Sequence, residues 1–144
     1  MSPKSRFAYM AGLMDGEGSF SISITDEGKH FAANIRLYNT NEKLIKWVIE
    51  NFGGTPSWNK RNGSNLKDSE KEYKDMCQWF ITGRKAMEKF LLAIIPYLIG
   101  KREQAELLLE YIRMNGKHDP VKRKQLADRI SFLNTGTPTT NTQE

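Results

Sequence analysis

The stretch "SFSISIT", Ser19 to Thr25, alternates apolar and hydroxyl residues without a break, directly after Gly16-Glu17-Gly18. A two-residue period suits a strand with one buried and one wet face, so Phe20, Ile22 and Ile24 face a core. Ser19, Ser21, Ser23 and Thr25 face the other way. After the turn "DEGK" the alternation resumes, with Phe31, Ala33, Ile35 and Leu37 inward and Asn34, Arg36 and Tyr38 outward, which predicts a hairpin. Upstream, Ser2-Pro3 is an N-cap followed by proline at the first helical position, opening a helix that is expected to run to about Met14. Downstream, Asn39 to Asn41 offers an N-cap for a helix with Leu44, Ile45, Val48, Ile49 and Phe52 on one side, stopped by Gly53-Gly54.

The second half repeats this order with different residues. "TPSWNKRN" and "YKDMCQWFIT" read as two more strands; Tyr73, Cys77, Trp79 and Ile81 face in, Lys74, Met76, Gln78 and Phe80 face out, and Pro56 leaves the parity of the third strand open. Helices follow: one with Met87, Phe90, Leu91, Ile94 and Ile95, one starting near Lys101 with Ala105, Leu108, Leu109 and Ile112, and one capped by Asp119 with Leu126, Ile130 and Leu133. The expected fold is α+β, an αββαββα order with a four-stranded antiparallel sheet and helices on one face. One domain is expected over 1–134, with a disordered Thr/Pro/Asn-rich tail over 135–144.

Composition narrows the functional classes. At 144 residues the chain suits one domain, and 22 Lys+Arg against 17 Asp+Glu suit a polyanionic partner. The lone Cys77 rules out an internal disulfide or a Cys-rich zinc site and is expected in the core. The longest apolar run, "FLLAIIPYLIG", is broken by Pro96 and falls far short of the ~20 residues a membrane span needs. With no signal segment at its start, the chain is expected to be intracellular, in a bacterial or phage cytoplasm or encoded in an organelle, with no membrane partner.

Three features call for a function. Ala8, Gly12 and Gly16 recur every four residues and line one helix face, which either packs closely on the chain's own sheet or admits another helix at backbone distance. The outward sheet face carries hydroxyl, amide and guanidinium groups with Met76 and Phe80, and it is either an ordinary solvated face or one that reads base edges. Asp15 and Glu17 sit at a helix C-terminus, where the dipole disfavours anions. Either a hard divalent cation compensates them, or Asp15 caps a neighbouring helix and Glu17 is merely exposed.

"MAGLMDGEG", Met10 to Gly18, resembles the LAGLIDADG motif of homing endonucleases, and the resemblance extends over roughly residues 5–112. It implies that the motif helix packs against a second copy of itself through Ala8, Ala11, Gly12, Asp15 and Gly16. It carries the metal-binding acid onto Glu17, with the Gly16 carbonyl as a second ligand, and gives Asp15 the part of a structural cap. A basic residue near phosphate or attacking water falls on Lys101. A polar residue at the end of the second strand falls on Asn39, or on Thr40 or Asn41 if that strand end is bulged. Glutamate stands where aspartate is commoner.

A single motif implies a homodimer, since one chain supplies one acid and cutting both strands needs two. The implied activity is that of a site-specific endonuclease on double-stranded DNA, using Mg²⁺ with Mn²⁺ as a substitute and Ca²⁺ supporting binding only, and no small-molecule cofactor. Metal-assisted hydrolysis would leave 5′-phosphate and 3′-hydroxyl ends at a long pseudo-palindromic site. The implied DNA-contacting residues are Ser19, Ser21, Ser23, Thr25, Asn34, Arg36, Tyr38, Asn59, Lys60, Arg61, Lys74, Met76, Gln78 and Phe80, with Lys117 and Lys122 to Lys124 as further phosphate contacts. The alternative on the same fold is an intron RNA maturase or a DNA-binding regulator that does not cleave.

Overall fold

Helix α1 (Pro3–Glu17) starts where its sequence announces it: the Ser2 side chain accepts a hydrogen bond from the Ser5 N–H, and Pro3 takes the first helical position. It ends later than expected, at Glu17 and not Met14, because the backbone turns extended only at Gly18 (φ −92°, ψ 173°). Glycine weakens a helix by about 1 kcal/mol without breaking it, so Gly12 and Gly16 pass through the helix. The computed structural model describes residues 1–59, 75–114 and 119–136.

Strands β1 (Gly18–Thr25) and β2 (His30–Asn39) form the expected hairpin, in register Phe20↔Ile35 and Ser19↔Arg36. Its turn holds Asp26, Glu27 and Gly28 at positive φ, and the Lys29 N–H closes it on the Asp26 carbonyl at 3.0 Å. Helix α2 (Glu42–Phe52) is capped by Asn41, whose side chain accepts from the N–H groups of Lys43 and Leu44. Strand β3 (Thr55–Asn59) and β4 (Met76–Ile81) complete an antiparallel sheet in the order β1-β2-β4-β3. Helices α3 (Arg84–Ile94), α4 (Arg102–Arg113) and α5 (Pro120–Thr135) follow, with a 3-10 turn at Ile95–Tyr97.

The register settles the third strand. Pro56 pairs with Trp79 and Trp58 with Cys77, so Pro56 and Trp58 lie on the helix side, while Thr55, Ser57 and Asn59 share the open face with Phe80, Gln78 and Met76. Tyr73, Lys74, Lys60 and Arg61 lie outside the described residues, as does Lys117. So do residues 137–144 of the expected tail, while Thr135 belongs to α5 and Gly136 is its left-handed cap.

The core lies between the sheet and the helices. Met10, Ala11 and Met14 of α1 meet Phe20, Ile35, Leu37 and Trp79 of the sheet, and Leu91, Ile94 and Leu108 close it from α3 and α4. Cys77 is fully buried, and burial raises its thiol pKa. Helix α5 covers β1 with Leu126, Ala127 and Ile130, leaving Leu133 only partly buried. Buried Gln104 donates to the Asn134 side-chain oxygen at 3.3 Å, and Asn134 donates to the Phe20 carbonyl at 3.0 Å, which ties α4, α5 and β1 together. Among the described residues no helix is long and apolar enough to cross a membrane.

The Trp79 indole N–H donates to the Gly53 carbonyl at 2.8 Å, and Gly54 approaches the same ring at φ +88°. A Cβ on Gly54 would sit 2.3 Å from Trp79 Nε1. Gly54→Ala is therefore expected to lose about 1–3 kcal/mol from backbone strain alone, read as a lower urea midpoint.

Candidate active site and nucleic-acid interface

Two side chains cross between the end of α1 and the start of α4, each satisfying the other element's backbone. The Asp15 carboxylate accepts from the Ile99 N–H and the Lys101 N–H, both at 2.9 Å. In return the Lys101 ammonium donates to the Met14 carbonyl at 3.1 Å and the Gly18 carbonyl at 2.5 Å. Asp15 thereby places an anion at the N-terminus of α4, and Lys101 places a cation at the C-terminus of α1, each on the side its helix dipole favours. The acids at the helix end are thus not a matched pair: Asp15 is a cap and Glu17 is the exposed one.

Glu17 is turned toward the end of β2, where the Asn39 side-chain amide donates to its carboxylate. The Asn39 oxygen accepts from the Asn41 N–H at 2.7 Å, so the orientation of the amide is set by a backbone donor. Of the three candidates at the strand end, Asn39 reaches Glu17, Asn41 caps α2 and Thr40 is exposed. The last four carbonyls of a helix have no intrahelical partner, which brings the Gly16 carbonyl into the same neighbourhood as a hard oxygen donor. A carboxylate with a backbone carbonyl suits Mg²⁺ or Ca²⁺. Among the described residues no group of three or more His, Cys, Asp or Glu gathers.

The small-residue face of α1 is exposed. Ala8, Gly12 and Gly16 are solvent-exposed, and a Cβ on either glycine would meet nothing within 4 Å. Packing on the chain's own sheet, one of the two readings of this face, falls instead to Met10, Ala11 and Met14. Ala11 is fully buried in the core and the Asp15 carboxylate is spent on α4, so these two leave the set of outward-facing residues.

The open sheet face carries Ser19, Ser21, Ser23, Thr25, Asn34, Arg36, Tyr38, Asn59, Met76, Gln78 and Phe80, as the alternation requires, and the register adds Thr55 and Ser57. Only the pairing partners of β4 reveal those two, since Pro56 obscures the pattern. The basic run on α5 lies elsewhere. Lys122 pairs with Glu110 at 2.8 Å and Lys124 with Asp128 at 2.6 Å, on the helix side of the sheet, where α5 packs against α4 and β1. Arg123 lies close enough to Tyr111 to offset in part the rise that burial gives the phenol. These three, expected as phosphate contacts, therefore lie off the open sheet face.

The class is thus an α+β fold in which a helix ending in an exposed acid is set against a polar four-stranded antiparallel sheet in an αββαββα order. The chain belongs to the LAGLIDADG endonuclease family, whose model matches residues 10–112. It is 25% identical over 141 residues to DNA endonuclease I-CvuI of Chlorella vulgaris, covering 91% of this chain and 81% of that protein. A crystal structure of the homing endonuclease I-CvuI in complex with its target in 2 mM Ca aligns with TM-score 0.70 and 24% identity, over 96% of this chain and 87% of that one. The archaeal intron-encoded homing endonuclease I-Vdi141I complexed with DNA aligns with TM-score 0.74 and 19% identity, over 96% and 90%.

Asp15→Ala removes both acceptors from the start of α4 and is expected to cost about 1–2 kcal/mol, while Asp15→Asn, keeping one oxygen, loses about half as much. Urea denaturation of the two variants beside the wild type checks the order.

Proposed function

We propose that the protein is a homodimeric, divalent-metal-dependent homing endonuclease that cuts both strands of a long pseudo-palindromic DNA site. The observation that carries this reading is the exposed Glu17 carboxylate, held by Asn39 at the end of a helix whose neighbouring face is bare of side chains. A second copy docked on that face brings two Glu17 carboxylates together around a twofold axis. Glu17 and the Gly16 carbonyl of each copy would hold the metal, whose part is to activate water and to stabilise the attacking and leaving oxygens of the phosphodiester.

The chain's own residues do the rest. Asn39 holds the Glu17 carboxylate in one orientation, so the acid enters the reaction without losing rotamer freedom at that moment. Lys101 has two of its three donors on the carbonyls of Met14 and Gly18, which fixes its charge beside the acidic helix end. From there its positive field favours the negative charge that develops on the phosphate, and the remaining N–H is available to a phosphate or water oxygen. The sheets of the two copies read flanking major grooves through the polar side chains of their open faces. The relative's complex obtained in Ca²⁺ supports a site that takes a divalent ion. The maturase or regulator reading has no specific observation in its favour, because the acid, its positioning amide and the lysine are all in place.

Glu17→Gln is expected to lower the cleavage rate roughly a hundredfold or more while leaving DNA affinity largely intact, measured with Mg²⁺ for cutting and Ca²⁺ for binding. Cutting near the wild-type rate would remove Glu17 from its role. Gly12→Leu has room inside the protomer and gains about 0.8 kcal/mol of helix propensity, yet fills the face on which the second copy docks. Sedimentation should show a folded monomer. An intact dimer would put the interface elsewhere.

A further inference from the structure

Arg36 is the open face's arginine on the central strand β2, between Ser19 of β1 and Phe80 of β4. Its guanidinium donates from Nη2 to the Asn34 side-chain oxygen at 3.2 Å, and the Asn34 amide donates to Ser23 Oγ at 2.6 Å. This chain of bonds runs diagonally across the hairpin and sets the direction of the Asn34 amide: its oxygen faces Arg36 because its nitrogen faces Ser23. No carboxylate pairs with Arg36 among the described residues, although five other lysine and arginine side chains have acidic partners. The guanidinium is therefore a charge held in one place by neutral groups, with most of its five donors unspent. Beside it the sheet forms a concavity of about 430 Å³, bordered by Asn34, Arg36, Gln78, Phe80 and Thr82, where β4 ends and β2 continues without it.

We propose that Ser23, Asn34 and Arg36 form a preorganised reader of a guanine base in the major groove, with Arg36 making the contact and Asn34 positioning it. This rests on the reading of the protein as a DNA endonuclease and names the base that one part of its sheet selects. A planar fork anchored through one nitrogen meets a planar pair of acceptors, and guanine O6 and N7 are that pair. A phosphate would be met equally well by an untethered lysine at the rim of the sheet. The twofold symmetry of the dimer makes the preference appear twice, as guanine in each half-site. Phe80 is the cross-strand neighbour of Arg36 and lines the same concavity, so its ring limits the directions the guanidinium can take.

The test is a binding selection on a randomised double-stranded DNA library in Ca²⁺ with the full chain, comparing wild type with Arg36→Gln, Arg36→Ala and Asn34→Ala. Wild type should return guanine at one symmetric pair of positions, favoured about 10- to 100-fold over the other bases. Arg36→Gln should move that preference to adenine, Arg36→Ala should abolish it, and Asn34→Ala should weaken it about 10-fold, with every other position unchanged. The adenine shift and the single-position loss are effects that a purely structural role of these residues does not produce. An unaltered preference in the Arg36 variants overturns the proposal. So does a uniform loss of affinity with a shallower salt dependence, which marks a phosphate contact. If wild type selects no sequence and cuts no DNA, the endonuclease reading fails as well; sequence-specific cutting without a guanine at Arg36 leaves that reading intact and removes only this one.

Discussion

The exchange between Asp15 and Lys101 is the interaction on which the site depends. Each residue supplies the charge that the other's helix end requires, and the two helix ends are held together by four hydrogen bonds between side chain and backbone. Charge-assisted bonds of this kind are roughly twice as strong as neutral ones, and they are partly shielded here, since both residues are only partly exposed. What the exchange fixes is the exit of the chain from α1 into β1. Glu17 and Gly18 lie at that exit, so the direction of the Glu17 side chain and the start of the sheet are set by the same bonds. A lysine released from these carbonyls would leave the C-terminal carbonyls of α1 without their cation, while Asp15 would still cap α4.

The sheet divides its labour by face and by end. Along β2 the odd positions Ile35 and Leu37 anchor the strand in the core, while Asn34, Arg36 and Tyr38 point to the open side. The strand then ends at Asn39, which returns toward α1 and bonds Glu17. One central strand therefore carries side chains suited to reading a sequence and the amide that orients the acid. Arg36 is paired on both sides, with Ser19 and Phe80, and Asn39 is paired with Cys77 of β4, so each is held by the ladder it belongs to.

Much of this was legible in the residues. The alternation of "SFSISIT" and of Phe31 to Tyr38, the Ser2-Pro3 and Asn41 caps and the stripe of Met87, Phe90, Leu91 and Ile94 each follow from a local rule, and each stands where that rule puts it. The motif singled out Glu17 as a candidate, and the family resemblance beyond it singled out Lys101. What local rules could not reach were bonds between distant parts of the chain. Lys101 finds the Met14 and Gly18 carbonyls across more than eighty residues, and nothing near either end encodes that partnership. Ala11 and Asp15 share a motif with Gly12 and Gly16, but a helix turn of 100° per residue puts them on the buried and capping sides. Pro56 hid the parity of β3, and only the partner strand resolved it.

The exposed face of α1 closes the physical argument. Two glycines in a helix interior cost about 1 kcal/mol each against alanine, and within the protomer nothing offsets them, since neither touches another group where a Cβ would stand. Glycine is commonly kept at such positions for close backbone approach, and no group of the described residues makes that approach here. The same helix ends in the exposed Glu17 carboxylate, beside which no group of three or more His, Cys, Asp or Glu gathers among the described residues. Under the proposed function both deficits have one remedy, because a second copy across a twofold axis brings the glycine face its partner and the Glu17 carboxylate its counterpart in a single contact. Under that proposal an isolated protomer would hold DNA through its sheet without cutting it, because the site would be complete only once two helix faces meet.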